Sequence, residues 1–290
     1  MQSNNPVFRR SEAFNGSGSQ ANAYGNQTYP GNGAPYGGYG QGVDGPQTGY
    51  APAPTTGERM TVDSVIQKTA LTLGVVIVTA ALTWFWTGDL TGNESLGRLY
   101  LALMVGSFGA FGLSLVNSFK RVISPALVIA FAALEGVALG AFSKFLDATV
   151  VQNQGITDSI VLQAVVGTFA AFAGTLTAYK VLDIKVGQKF RTFVVAAMFG
   201  MVGLALLEMM LGFFNNQVGF FEFGALGLLF AVGGLILGVF MLILDFDFVE
   251  QGVAAGIEER ESWRAAFALT VSLVWIYTNL LRILAFFSQD

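Results

Sequence analysis

The sequence predicts an all-α integral membrane protein that crosses the bilayer seven times. Of its 290 residues, 53% are hydrophobic and only 12% are charged, and the mean hydropathy is +0.58, which is outside the range of ordinary soluble domains. The apolar residues are concentrated after residue 58. There they form seven separate stretches, each long enough to cross a hydrocarbon core of about 30 Å.

The first 58 residues are rich in Gly, Asn, Gln, Tyr and Pro and show no hydrophobic periodicity. We therefore predict a disordered cytoplasmic arm over residues 1–58 and a membrane domain over residues 59–290. The start of the chain has no apolar run typical of a secretory signal, so the first span should direct insertion. Linkers with Gly, Asn, Pro or charge separate the predicted spans, which are 65–86, 99–119, 125–146, 159–180, 191–214, 223–246 and 264–287.

The distribution of basic residues predicts the orientation of these spans. Twelve of the 15 Lys and Arg residues fall on one side, Arg98 and Lys144 fall on the other, and Arg282 lies within the last span. The positive-inside rule then places the amino terminus in the cytoplasm and the carboxyl terminus outside. Spans one to three and four to six can form two three-helix units of opposite orientation, which is an inverted repeat. The seventh span belongs to neither unit.

Glycines recur in pairs at about one helical turn within the spans. Such pairs allow helix backbones to approach closely, and we interpret them as packing sites rather than as a pore lining. The pairs are Gly109 with Gly112, Gly136 with Gly140, and Gly234 with Gly238.

Composition excludes several functional classes. The chain has no His and no Cys, so it lacks disulfides, thiolate or imidazole catalysis and the usual zinc ligands. The net charge of -4 offers no basic patch for nucleic acid. We expect no cofactor and no catalytic residue, and an intramembrane enzyme is the least supported class. Any pH response near neutrality must come from carboxyl or lysine side chains in unusual surroundings.

Carboxylates within the spans are the first candidates for function, since an ionised group at membrane depth costs several kcal/mol. Glu135 lies ten residues into span three, about 15 Å deep and close to the midplane. We expect a functional carboxyl there, with a structural hydrogen bond to a neighbouring helix as the alternative. Glu208 lies near the outer end of span five, where it should reach water, and a structural role is favoured for it.

Three acids follow the apolar part of span six in GVFMLILDFDFVEQG, residues 238–252. We expect Asp245 and Asp247 at the cytoplasmic mouth of the bundle, where they can be solvated. The two face opposite ways on a helix, whereas Asp247, Glu250 and Gln251 share one face. The acids either end the hydrophobic run and face water, or Asp245 points inward and closes a pathway.

The order of ALEG in span three, LDFDFVEQG at the end of span six and VWIYTNLLRIL in span seven resembles the Bax inhibitor-1 family. The start of the chain, NNPVFRRSEAF, resembles a bacterial, actinobacterial-type branch of that family. The resemblance covers about residues 60–287. It implies a central seventh helix wrapped by two three-helix layers, in the cytoplasmic membrane of a bacterium. It also implies a calcium-permeable leak, gated by a proton shared between an acid at the end of span six, here Asp245, and an acid in span seven.

This sequence departs from that family pattern in the seventh span. Residues 265–287 contain no Asp or Glu, and the position of the second acid corresponds to Asn279 or, in other alignments, to Ser272. Asp245 and Glu135 therefore remain the candidate gating or calcium-binding acids. Arg282 lies too far along the helix to be an ion partner of Asp245. One carboxylate is a poor calcium site, because Ca²⁺ takes six to eight oxygens, so we expect transient passage and no resident metal.

Three functions are compatible with these observations. The leading hypothesis is a pH-sensitive leak for calcium or other cations. The alternative is a non-conducting regulator that binds other membrane proteins, such as a membrane protease, and the arm and the missing acid favour it. The third is a proton-coupled transporter of a solute. A conductor requires polar groups along one face, and Glu135, Ser272 and Asn279 supply them only if they converge in three dimensions.

Overall fold

The computed structural model describes residues 58–90, 92–154, 159–212, 214, 218–222 and 224–288. The predicted arm, apart from residue 58, lies outside this part of the chain. Within it the chain forms seven α-helices that are long and apolar enough to cross a membrane, which confirms the predicted fold class. They are α1 (Val62–Thr87), α2 (Asn93–Phe119), α3 (Pro125–Gln154), α4 (Ile160–Val181), α5 (Gln188–Gly212), α6 (Ala225–Ala255) and α7 (Glu261–Phe287).

Helix α7 is the centre of the bundle, as predicted. It packs against α1 and α3 on one side and against α4 and α6 on the other. Helices α1, α2 and α3 contact one another and form one layer, while α4 and α5 each pack against α6 in the second layer. Over the described residues α5 contacts no helix except α6. The central helix is therefore enclosed, and α5 is the least supported member of the bundle.

Contacts between loops and helix ends show which of them lie together. Arg260, in the loop between α6 and α7, donates a hydrogen bond of 3.1 Å to the carbonyl of Ile123, between α2 and α3. In the same loop Glu259 forms an ion pair of 2.7 Å with Lys68 of α1. We call this end of the bundle, where α1, α3, α5 and α7 begin, the basic end, and the other the opposite end.

Small residues bring α3 close to α1, as the glycine spacing predicts. A Cβ placed on Gly136 would lie 2.4 Å from the carbonyl oxygen of Val76, and one on Gly140 would lie 2.4 Å from that of Ala80. Both distances are too short for any side chain. Two further glycines of α6 face α7 in the same way, and Gly109 faces α3, but Gly112 has open space around it and is not a packing site.

Helix α6 extends well beyond the predicted end of span six. It continues to Ala255 instead of ending at residue 246, and it stops at Gly256, whose left-handed φ of 64° allows its N–H to return to the carbonyls of Gly252 and Val253. The predicted boundary is wrong because the three acids do not end the helix. Their side chains are bonded to neighbouring helices, so the helix can carry them in its interior.

Candidate functional site

Asp245 lies inside the protein, between α6 and α7. Its Oδ2 accepts a hydrogen bond of 2.5 Å from Oγ of Ser272, and the two residues are only 5% and 1% exposed. The expectation that Asp245 is solvated at the mouth of the bundle is therefore wrong. Helix α6 continues from Asp245 to Ala255, which is about 15 Å of helix. Of the two positions considered for the missing acid, Ser272 is the one that meets Asp245.

The surroundings of Asp245 contain a hydroxyl group where an ion partner would be expected. Among the described residues no Lys or Arg side chain lies within ion-pair distance of it, and no further side chain bonds to it. An ionised carboxylate removed from water is costly unless it is paired and fully hydrogen-bonded. The neutral acid is thus the form that suits this closely packed arrangement.

Asp247 faces away from Asp245 and connects α6 to α5. It forms an ion pair with Arg191, near the start of α5, and accepts a hydrogen bond of 2.8 Å from Gln251. Asp247 is 9% exposed, so it is buried, and the expectation that it is solvated is also wrong. The opposite directions of the two aspartates agree with the rotation of about 200° expected for residues two apart on a helix.

Glu250 connects α6 to α4. Its Oε2 accepts a hydrogen bond of 2.6 Å from the hydroxyl of Tyr179, near the end of α4. The three acids of LDFDFVEQG therefore hold three different helices to α6: Asp245 holds α7, Asp247 holds α5, and Glu250 holds α4. Neither Arg191 nor Tyr179 was identified from the sequence, because no local pattern indicates which helix a basic or aromatic residue will meet.

A second group of polar residues lies in the otherwise largely apolar wall of a cavity of about 490 Å³, in the half of the bundle towards the opposite end. Glu135 of α3 and Asn279 of α7 line it together, as do Arg282 and Trp275, and Ser107 of α2 and Ala205 of α5 complete its sides. The side chain of Glu135 has no hydrogen-bond partner among the described residues, so its carboxyl group is available to the cavity. The structure thus brings Glu135 and Asn279 together but leaves Ser272 in the other group.

Asn279 is held in place by its own helix and by α6. Its side-chain nitrogen donates to the carbonyl of Trp275 at 2.8 Å, and its amide fills the space next to Gly234 of α6. The indole nitrogen of Trp275 in turn donates to the carbonyl of Gly234 at 2.8 Å. Asn279 therefore forms part of the cavity wall and does not contact Asp245.

An apolar layer separates the cavity from Asp245. On α7, Ile276 lies between Ser272 and Asn279, is fully buried and packs against Gly238 of α6. On α6, Met241 and Leu242 lie between Gly238 and Asp245 and are also buried. The polar groups are thus arranged at two levels with a closed hydrophobic constriction between them.

Glu208 has a structural role, as the sequence favoured, but it does not reach water as expected. It is 5% exposed, and its carboxylate accepts hydrogen bonds from the backbone N–H groups of Val218 at 3.0 Å and Gly219 at 2.8 Å. The expected solvation is wrong because the loop that precedes α6 folds over this side chain. Glu208 therefore holds the loop to α5 and is not part of the cavity.

The described residues contain no cluster of three or more acids that could hold a metal ion. Asp245 and Asp247 turn away from each other, and Glu135 lies at a different level from both. Because Ca²⁺ takes six to eight oxygen ligands, none of these three carboxyl groups by itself supplies a full ligand set for it.

Comparison with known proteins identifies the chain at the level of its family. Residues 5–289, nearly the whole chain, match the family described as Bax inhibitor 1 like. A comparison with curated proteins found no match. The family match covers all seven helices, the Asp245–Ser272 pair and the cavity with Glu135. The chain therefore belongs to the Bax inhibitor 1 like family of membrane proteins.

Proposed function

We propose that this protein is a pH-sensitive leak for calcium and other cations in the cytoplasmic membrane of a bacterium, with its amino terminus in the cytoplasm. The observation that carries the proposal is Asp245, a carboxyl group buried between the central helix and α6 whose partner is the hydroxyl of Ser272. A buried acid at membrane depth is a default candidate for function.

The route we infer starts in the cavity at the opposite end of the bundle. Glu135 attracts cations into it, and the amide of Asn279 offers an oxygen to a partly hydrated ion. The apolar constriction at Ile276 follows, and beyond it lies Asp245. With α6 and α7 packed together the constriction is closed, so conduction requires these two helices to separate.

Protonation of Asp245 is the proposed gate. The neutral carboxyl group fits the dry space beside Ser272, so it keeps α6 and α7 together. Ionisation adds a charge for which none of the described neighbours supplies a cation: α7 presents Ser272, while Asp247 and Glu250 on its own helix are already bonded to Arg191 and Tyr179. Water and a cation then stabilise the charge by entering between the helices. The leak should consequently increase as the pH rises.

The test is calcium influx into liposomes that contain the purified full-length protein and a calcium-sensitive dye. We expect a higher influx at mildly alkaline pH than at mildly acidic pH for the wild type. Asp245→Asn, which stays neutral, should give a low influx at both, and Glu135→Gln should reduce the influx at both without removing the pH dependence. Asp183→Asn changes an exposed acid between α4 and α5 and is the matched control.

The alternative function predicts a different result. If folded, correctly inserted protein gives no more influx than empty liposomes at any pH, the leak proposal fails for this chain. The non-conducting regulator that binds other membrane proteins then becomes the leading hypothesis. If influx occurs but Asp245→Asn keeps the pH dependence of the wild type, the protein is a leak whose gate lies elsewhere.

A further inference from the structure

Arg282 places a positive charge in the wall of the same cavity that contains Glu135. One terminal nitrogen of its guanidinium group donates a hydrogen bond of 2.5 Å to the carbonyl of Phe220, in the loop before α6. The group also lies over two aromatic rings, 4.8 Å from the ring centre of Phe221 and 5.8 Å from that of Phe230. These contacts hold the charge in one place.

The charge of Arg282 is not neutralised by an acid in this position. Glu135 and Glu222 line the same cavity, but within the described part of the chain neither of them lies within ion-pair distance of the guanidinium group. The carbonyl and the two rings stabilise the guanidinium without cancelling its field. A cation that enters this cavity therefore meets a fixed positive charge in a site of low dielectric constant.

We propose that Arg282 is a charge filter that determines which cations pass the cavity and how fast. The proposal rests on the leak function proposed above and adds a residue that sets its selectivity. Fixed positive charges in a pore wall act as electrostatic barriers to cations. The barrier is proportional to the charge of the ion, so Arg282 slows Ca²⁺ more than K⁺ and keeps the calcium leak small.

This dependence on ionic charge gives a quantitative expectation. The rate of passage depends exponentially on the barrier, and the contribution of Arg282 to the barrier is twice as large for a divalent ion as for a monovalent one. If neutralising Arg282 raises K⁺ flux by some factor, it should raise Ca²⁺ flux by about the square of that factor. A roughly threefold rise for K⁺ would correspond to about ninefold for Ca²⁺.

The experiment compares K⁺ and Ca²⁺ fluxes through the full-length protein in liposomes at a pH where the wild type conducts. Arg282→Gln removes the charge but keeps a long polar side chain that can still donate to Phe220. Arg282→Lys keeps the charge and should leave the ratio of the two fluxes close to that of the wild type. Arg98→Gln removes a charge near the start of α2, at the same end of the bundle but outside the cavity, and is the control for surface potential.

Each outcome has a distinct meaning. A larger rise for Ca²⁺ than for K⁺ in Arg282→Gln, absent from Arg282→Lys and Arg98→Gln, supports the filter. The filter would be overturned if Arg282→Gln raised both fluxes by the same factor, changed neither flux, or changed them as Arg282→Lys does. In each of these cases, cation flux through the wild type would still support the leak. If neither the wild type nor Arg282→Gln conducts any cation although both unfold cooperatively on heating, the leak proposal and the filter fail together.

Discussion

Ile276 of the central helix occupies the space that a side chain at residue 238 of α6 would need. A Cβ placed on Gly238 would lie 2.6 Å from Cγ1 of Ile276, and Ile276 itself is fully buried. This contact closes the space between the cavity and Asp245. The contact lies on the proposed route, so its removal tests that route directly.

We expect Ile276→Ala to raise the cation leak and to reduce its dependence on pH, because water can then bridge the cavity and Asp245 whatever the protonation state. The variant should also lose about 2–5 kcal/mol of stability, as other large-to-small core changes do. Calcium influx into liposomes measures the first effect, and thermal unfolding in detergent measures the second.

Leu99→Ala is the control for the effect of a cavity alone. Leu99 is also fully buried but belongs to the cluster between α2 and α3 and does not line the route. Leu99→Ala should lose about as much stability as Ile276→Ala, but the cation leak should not change. An equal rise in leak from both variants would mean that loosened packing, and not the constriction, controls the flux.

Removal of the hydroxyl of Ser272 should move the pH profile of the leak towards higher pH. Ser272 donates to the carboxylate of Asp245 and thereby stabilises its ionised form. A hydrogen bond to a charged group is worth about 1.5–3 kcal/mol, so Ser272→Ala should shift the midpoint upwards by about one to two pH units. Ser262 lies on the same helix as Ser272, and Ser262→Ala removes its hydrogen bond of 2.7 Å to Ser64 of α1, so this control variant should not move the midpoint.

The ion pair between Arg191 and Asp247 should contribute more to stability than an exposed pair. Arg191→Gln leaves Asp247 buried without its cation and should cost about 3–5 kcal/mol, whereas the double variant Arg191→Gln with Asp247→Asn should recover part of that loss. Thermal unfolding of the two single variants and the double variant measures the coupling. Lys185→Gln, in a fully exposed pair with Asp183, should have almost no effect.

Close approach between α1 and α3 should make Gly140 intolerant of even one methyl group. The methyl group of Gly140→Ala would meet the backbone carbonyl of Ala80, which cannot rotate away, so the layer must open and the protein should lose stability. Gly112→Ala is the matched control because its position is open, and it should be neutral or gain up to about 1 kcal/mol from helix propensity. Equal melting temperatures for the two variants would contradict this packing.

At the basic end, Lys68 holds the pKa of Glu259 below its usual value, mainly through a direct hydrogen bond to its carboxylate. A depressed folded-state pKa contributes stability above the unfolded pKa, and this contribution is lost as the pH falls through the folded-state value. Lys68→Met should raise the pKa of Glu259 towards its ordinary value, as measured by carbon-13 NMR titration of its carboxyl group. Lys180→Met, an exposed change at the same end, should leave it unchanged.

Several parts of the structure follow from local sequence. The seven spans were predictable because length and apolar content are properties of each segment by itself. The packing role of Gly136 and Gly140 was predictable because two small residues one turn apart leave a flat helix face. The opposite directions of Asp245 and Asp247 follow from helix geometry alone.

Other features could not be predicted, because each depends on a partner far away in the chain. The end of span six was placed nine residues too early, at residue 246, because acids in water usually end an apolar helix. Here Arg191 and Ser272 come from two other helices and bond those acids inside the protein. Likewise Glu208 was expected in water because nothing local indicates that residues 218 and 219 fold over it.

The sequence by itself determined that the chain is a seven-helix membrane protein and which few acids lie within its spans, because hydrophobicity, length and helical periodicity are local properties. Only the tertiary structure decided that Asp245 meets Ser272, that Glu135 shares a cavity with Asn279 and Arg282, and that Ile276 separates the two groups. These relationships depend on how each helix is rotated and shifted along its neighbours. Packing over the whole bundle sets that rotation and shift, and no single segment encodes them.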